Sequence, residues 1–323
     1  MYDVITVGSA TLDAFVYTEF HNIKKACRKL VAYPAGSKIL VEKLNFMTGG
    51  GGTNTAVSFA RLGLKTAYLG KLGRDDSATR ILKQLKEEKV DFIGKLGNED
   101  FTAYSVVLDS KGHDRTILTY KGISNKLSFK EVDTKKIKTK WLYLSSLLGE
   151  SFETQKKLAE FAKKKKINLA YNPSDYQIMR SDIDYILERT DILVFNRREA
   201  NLLTGLNDVN KQMEAISKIG PKIICITDGP HGDYTYDVKK EIFYSMKPHK
   251  IKIVERTGAG DAFASSFLAG IIKKGDIEFA MKLALTNAES VIMYQGAKNK
   301  LLTYREALQT IKKKPVKVKK EKW

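Results

Sequence analysis

The chain has 323 residues, 43% of them hydrophobic, and carries 56 Lys and Arg against 37 Asp and Glu, a formal net charge of +19. That length can bury a sizeable core as one large domain or two ordinary ones. No apolar run approaches the ~18–20 residues of a membrane-spanning helix, so neither a span nor a membrane partner is expected. Only two cysteines occur, Cys27 and Cys225, without metal or redox spacing, and MYDVITVGSA at the start lacks the arrangement of a signal peptide. Both fit a reducing cytoplasm. The lysines are spread along the chain and gather at Lys163–Lys166 and in KKKPVKVKKEKW. With no interleaved aromatics and no recognition module, they read as solvated surface and as a field that draws anionic small molecules, and a nucleic-acid partner is not favoured.

In chain order, VITVGSA (Val4 to Ala10) is the first nearly continuous apolar run. TAYLGKLG (Thr66 to Gly73), WLYLSSL (Trp141 to Leu147), INLAYNPS (Ile167 to Ser174), DILVFNRRE (Asp191 to Glu199) and KIICITDG (Lys222 to Gly229) follow it. Each ends in polar or glycine residues, as strands buried on both faces of a parallel sheet do. Helical patterns lie between them, among them TNTAVSFARLG, DDSATRILKQLKEE and SFETQKKLAEFAKKKK, and Asp75 and Ser151 are expected to cap the last two. The alternation predicts an α/β doubly wound, mostly parallel sheet with ligands at the carboxyl ends of its strands. Two segments interrupt the rhythm. Residues 14–46 hold no clear βα unit, and Phe101 to Gly122 alternates like a hairpin around Ser110-Lys111-Gly112. They read either as a small β lid, from about 14–46 and 99–123, or as a surface loop and an edge hairpin. After Lys312 only a basic tail, 313–323, is expected, beyond a domain spanning 1–312.

Four stretches carry candidate chemistry. TGGGGTNTAVSFARLG (Thr48 to Gly63) has neither the P-loop ending nor the dinucleotide fingerprint. Its glycines, Gly50 and Gly51 among them, let a polyol approach the backbone, and Asn54 offers a donor and an acceptor to hydroxyls. A plain tight turn into a helix would look the same. Asp13, after the first strand, is another short acceptor for a diol. Asn196 and Glu199 stand three apart at a strand end and can face one site, holding magnesium waters and phosphate oxygens. Thr227-Asp228-Gly229-Pro230-His231-Gly232 is a further strand-end loop, in which His231 reads as exposed. In ERTGAGDAFASSFLAG (Glu255 to Gly270), Phe263, Phe267 and Ile271 recur every four residues on a helix expected over Asp261–Ile272. Thr257 to Gly260 then lie at its N-terminus, where unpaired N–H groups and the helix dipole suit an anion. Asp261 is either a helix cap or a base that takes a proton from a hydroxyl.

In this order, GGGGTNTA, NRRE, TDGPHG and RTGAGDAF resemble the signatures of the ribokinase-like (PfkB) family of sugar and nucleoside kinases, over roughly residues 1 to 312. The resemblance implies ATP-dependent transfer of the γ-phosphoryl, through Mg²⁺, to a primary hydroxyl of a ribose- or fructose-like ring, free or within a nucleoside. It makes Asp261 the base and Gly258, Ala259 and Gly260 the anion hole. Asp13, Gly50, Gly51 and Asn54 would line the substrate side. Asn196 and Glu199 would organise Mg²⁺ and phosphate, Thr227, Gly229 and Gly232 would meet the nucleotide, and Asn287 would lie beside the adenine. A lid that also forms a homodimer contact is implied as well. Gly51 replaces the lysine of ribokinases themselves, so ribose is not singled out. Glu255 and Arg256 depart from the pattern before T-G-A-G-D, and Gln295-Gly296-Ala297-Lys298 lacks the usual following serine or proline, which weighs against a monovalent-cation site. The other class of reading is an inactive member that binds a nucleotide or sugar, or a basic scaffold on nucleic acid; intact Asp261, Asn196 and Glu199 speak against it.

Overall fold

The structure, a computed structural model, describes residues 1–18, 21–25, 28–109, 115–180 and 182–323. Ten strands form one sheet. From one edge these are Asp91–Phe92, Thr66–Leu69, Tyr2–Val7, Thr139–Ser145, Asn168–Asn172, Ile192–Asn196 and Ile223–Thr227, and then Asp233–Asp237, Ile242–Met246 and Val318–Lys322. The first seven run parallel and the last three antiparallel. The parallel strands are apolar throughout because both faces are covered. Leu142 and Leu144 point into one core with Leu158, Ile186 and Ile216, while Tyr143 between them points into the other with Phe59, Phe263 and Phe267. Four-residue spacing thus did place Phe263 and Phe267 on the sheet.

Strand order reverses at Tyr2–Val7, which lies between the strands that come next in opposite directions. Crevices at the carboxyl ends of such a switch point are where doubly wound sheets take ligands. Above it stands a separate sheet, in the order Arg115–Tyr120, Ala103–Asp109, Thr11–Thr18, Val41–Gly49. The two interrupting segments therefore do fold together. The first of them runs from Thr11 to Gly49, wider than the expected 14–46, so Asp13 sits on a strand of the small sheet. The expected turn at Ser110-Lys111-Gly112 and Cys27 lie outside the described residues.

Asp75 caps its helix as expected, accepting from the Ala78 N–H at 2.8 Å. Ser151 does not. The helix begins earlier, at Gly149, and Ser151 is buried in its first turn, donating to the Ser124 carbonyl and accepting from the Leu127 N–H. The segment expected as a basic tail also differs, since Val318–Lys322 pairs along Ile242–Met246. Trp323 then lies against Tyr236, ring centroids 4.1 Å apart. A lysine-rich exposed edge strand is a common protection against further pairing. Removing residues 315–323 should cost about 2 kcal/mol through the lost aromatic contacts and lower the thermal midpoint by about 3 °C, read by circular dichroism. An unchanged midpoint would show that the strand contributes nothing.

Candidate active site

The glycine run is where two chain segments touch backbone to backbone. Gly50, at φ 92°, is the N-cap residue of the helix Gly51–Arg61, and a Cβ there would lie 2.5 Å from the Ser9 carbonyl oxygen. The Gly52 N–H in turn donates to that carbonyl at 3.0 Å. Gly50 thus answers first to packing. Gly51 faces a cavity of about 490 Å³ that lies between the main sheet and the small one, and Gly50, Asn54, Asp13, Asn196, Glu199, Thr227, Gly258, Gly260 and Asp261 line it too. A side chain at Gly51 would run into Ser145 Oγ, 2.6 Å from the Cβ position, so a lysine could not stand there without displacing Ser145.

The helix expected from Asp261 starts at Ala259 and runs to Lys274. Its N-cap is Gly258, at φ 80° and without a side-chain cap bond, so Asp261 is not the cap. Its carboxylate instead accepts from Asn54 Nδ2 at 2.8 Å. The other amide atom, Asn54 Oδ1, is buried with no hydrogen-bond partner. A buried orphan acceptor costs free energy, and one beside an open cavity fits a hydroxyl donor from a ligand. Burial pushes the Asp261 carboxyl above the usual range, against the Asn54 hydrogen bond and the Lys298 charge, which hold it down. Of the three residues expected to form an anion hole, Ala259 closes the turn with its N–H on the Arg256 carbonyl, at 3.3 Å. Gly258 and Gly260 line the cavity. The departure at Glu255 acquires a contact here, because its carboxylate accepts the Gly296 N–H at 2.9 Å and ties the turn before Gly258 to the turn beside it.

Asn196 and Glu199 do face each other, but as a reciprocal capping box at the start of the helix Arg197–Thr204. Each accepts from the other's backbone N–H, at 2.9 and 2.8 Å. Burial, with Asp175 adding, pushes the Glu199 carboxyl up to about 7. Among the described residues, no three His, Cys, Asp or Glu side chains gather as a metal cage. Mg²⁺ usually keeps several waters and leans on substrate phosphates with one or two carboxylates, so Glu199, with Asp175 on the same cavity wall, fits it. Thr227, Gly229 and His231 border a shallower opening that shares Asn196 and Thr227 with the first, and His231 is exposed as expected.

Two expected residues lie elsewhere. Asn287 is fully buried, with its amide donating to Ser266 Oγ at 2.7 Å and its oxygen accepting from the Leu302 N–H. A polar group so satisfied fastens the helix Ile277–Ile292 and does not border the cavity. Gly232 is also buried away from it, at φ 134°, with Met246 O 2.7 Å from where a Cβ would stand. The sequence reading missed three groups. Ser145 Oγ is buried and unpartnered at the carboxyl end of its strand. Lys121 reaches the cavity from beside the lid, near Asp13, and its ammonium pKa is lowered by burial. Lys298 lies behind the wall. Strand-end position could have pointed to Ser145; two lysines in so basic a chain carried no signal.

The sequence pattern described as pfkB family carbohydrate kinase matches residues 1–303. The chain belongs to that family. It is thus an ATP-dependent kinase of the sugar and nucleoside class. A sugar kinase of Archaeoglobus fulgidus, itself described as uncharacterized, is 30% identical over 254 residues, covering 76% of this chain and 98% of its own. A 5-dehydro-2-deoxygluconokinase of Clostridium perfringens is 28% identical, covering 97% and 93%. The fold is that of an Arabidopsis thaliana ribokinase solved with ribose and ATP, with a TM-score of 0.80 at 20% identity and coverage of 96% and 99%. In this pfkB kinase no helix among the described residues is long and apolar enough to cross a membrane.

Proposed function

We propose that this pfkB kinase phosphorylates a primary hydroxyl of a ribose- or fructose-like ring, in a sugar or a nucleoside, with Asp261 as the general base. The observation that carries the reading is the Asn54–Asp261 pair. It presents an accepting carboxylate and an orphan amide oxygen to one cavity, next to a helix start built of glycine. Bound ATP with Mg²⁺ supplies the γ-phosphoryl group and the cation that shields it. The chain's own residues then do four things. Asp13 and Asn54 hold hydroxyls of the acceptor. Asp261 takes the proton of the reacting one, and Asn54 Nδ2 keeps its carboxylate aimed. The Gly258–Gly260 turn offers the N–H groups of Gly258 and Gly260, for which no intrahelical carbonyl exists, to the charge on the phosphoryl, while the Ala259 N–H stays on the Arg256 carbonyl. Glu199 orders water around Mg²⁺, and Thr227 and Gly229 meet the nucleotide phosphates.

The lid sheet covers the acceptor side with Phe15, Val107 and Ile117, and closing it would keep water from competing as acceptor. Its other face is apolar and open, with Leu44, Phe46, Leu118 and Tyr120 each at least 44% exposed. That suits the homodimer contact expected from the sequence; sedimentation equilibrium reads it directly.

Screening sugars and nucleosides for ADP release tests the reading. One class should turn over far above the rate with water, and a screen in which nothing exceeds the water rate would reject it. Glu199→Gln should raise the Mg²⁺ concentration for half-maximal rate about tenfold, with nucleotide affinity little changed. An unaltered Mg²⁺ dependence would remove Glu199 from this role.

A further inference from the structure

Lys298 is a buried charge outside the residues that bind acceptor, phosphoryl group or nucleotide. It is 5% exposed, and its ammonium donates to Thr48 Oγ1 and Thr53 Oγ1, both at 2.9 Å. These acceptors are neutral hydroxyls. The opposite charges that act on it are carboxylates further away, Asp13 first, then Asp261 and Glu88, while Arg61 opposes them. Ammonium groups are seldom buried without a purpose or a direct partner.

Its surroundings connect it to both sides of the site. Thr53 passes the contact on, donating to the Gly49 carbonyl at 2.6 Å. The Asp13 carboxylate lies against that same glycine, with Oδ2 2.1 Å from where a Gly49 Cβ would stand. The next residue of the helix, Asn54, holds Asp261. Lys298 itself belongs to the turn whose Ala297 packs on Gly258, and Arg61 fixes this turn through the Lys298 and Leu301 carbonyls, at 3.2 and 3.0 Å.

We propose that Lys298 is a positioning residue for the acceptor site, a fixed internal cation that keeps Asp261 and Asp13 ionised from one layer behind the cavity wall. The inference rests on the reading of Asp261 as base. An ammonium in direct contact with Asp261 would occupy the oxygen lone pairs that must receive the substrate proton. Set back behind Thr53 and the Gly49–Gly50 turn, it lowers the cost of the buried carboxylates and leaves their oxygens free. Its charge acts downward on the pKa of both, against burial, which raises them. Lys121 also faces Asp13, and Glu255 pushes the Asp13 pKa upward. Burial in turn drives the Lys298 ammonium down to about 7. The support is therefore complete below neutrality and is lost as pH rises through that value.

The test is the titration of Asp261 in the full chain carrying ¹³C-labelled aspartate carboxyls, assigned by the signal that disappears in Asp261→Asn. Lys298→Met should fold, because an apolar side chain of similar shape replaces a buried charge that has no carboxylate in contact. It should raise the Asp261 midpoint by about one pH unit, a tenfold change in ionisation. The acid limb of kcat/KM should move by the same amount, with nucleotide KM unchanged. Should the Met variant not fold, Lys298→Gln is read in the same way. An Asp261 midpoint that stays in place in a folded variant overturns the proposal. Absence of ADP release by the unaltered chain would sink the kinase reading alone, since the titration is independent of turnover.

Discussion

Asp261→Asn is expected to bind nucleotide with unchanged affinity and to lose at least about a thousandfold in turnover, within the range that a positioned base contributes. The substitution changes little else. Asn54 Nδ2 now donates to Asp261 Oδ2 at 2.8 Å, and an amide oxygen at the same place can accept that bond. Because Asp261 is not the cap of its helix, no capping contribution is lost. The sign for stability follows from the pKa. Its folded-state value is raised, mainly by burial, so the ionised form is the one the fold disfavours. The unfolded chain releases that proton at a lower pH, and stability falls as pH rises through the interval between the two values. At pH 7 the neutral variant should therefore melt at the same temperature as the parent or slightly higher. Higher stability with lost turnover is how a functional carboxylate held at a cost behaves. In the unaltered chain, kcat/KM should fall as acid protonates Asp261, with a midpoint above the ordinary carboxylate range. Isothermal titration with nucleotide, a melting curve and single-turnover rates together decide it. Turnover near the parental rate would remove Asp261 as base, whereas lost nucleotide binding would mean that the helix start had been disturbed.

How legible all this was in the sequence depended on whether one composition carried one message. The central strands were plain because Leu142, Tyr143 and Leu144 are all buried, on alternating faces. A run with no polar side admits few other readings. The strand near the end was hidden for the opposite reason. In Val316-Lys317-Val318-Lys319 the alternation is there, but lysines dominate the composition and a tail looks the same. At the site, the glycine runs announced close approach without saying of what to what. Gly50 turned out to serve the chain's own packing, and Gly51 and Gly258 the cavity wall. Asn287 came in only with the family resemblance, and here Ser266 and the Leu302 N–H satisfy it. Lys298 could not be picked from 56 basic residues. Lys71 is as deeply buried but pairs with Glu99 and Glu131; burial without a contacting carboxylate distinguishes Lys298, and that is a property of the fold.

Gly258→Ala should be a severely damaging single-methyl change in the site, reducing turnover about a hundredfold or more, in the range found when one preorganised donor is lost. Gly258 has φ 80°, and its Cβ would fall 2.4 Å from the Ala297 Cβ and 2.6 Å from the Ala297 Cα. The backbone strain alone is about 1–3 kcal/mol. Relief would require the turn at 296–298 to retreat, but three contacts hold it: Gly296 N–H on Glu255, Lys298 on Thr48 and Thr53, and Arg61 on the carbonyls of Lys298 and Leu301. The turn before the helix should therefore open instead, taking the first-turn N–H groups off their aim. Adding Ala297→Gly removes the nearer carbon but leaves the Cα at 2.6 Å and the carbonyl oxygen at 3.0 Å, so it should restore only part of the rate. Gly260 is the control two residues on. It has an ordinary φ and no heavy atom within 4 Å of its Cβ position. Gly260→Ala should thus raise the melting temperature, since alanine favours a helix over glycine by about 1 kcal/mol. It should slow turnover only if the phosphoryl group comes close to that position. Rates measured well below each melting temperature separate the two effects, and a Gly258→Ala protein with parental kcat would show that this turn does not face the reacting phosphoryl.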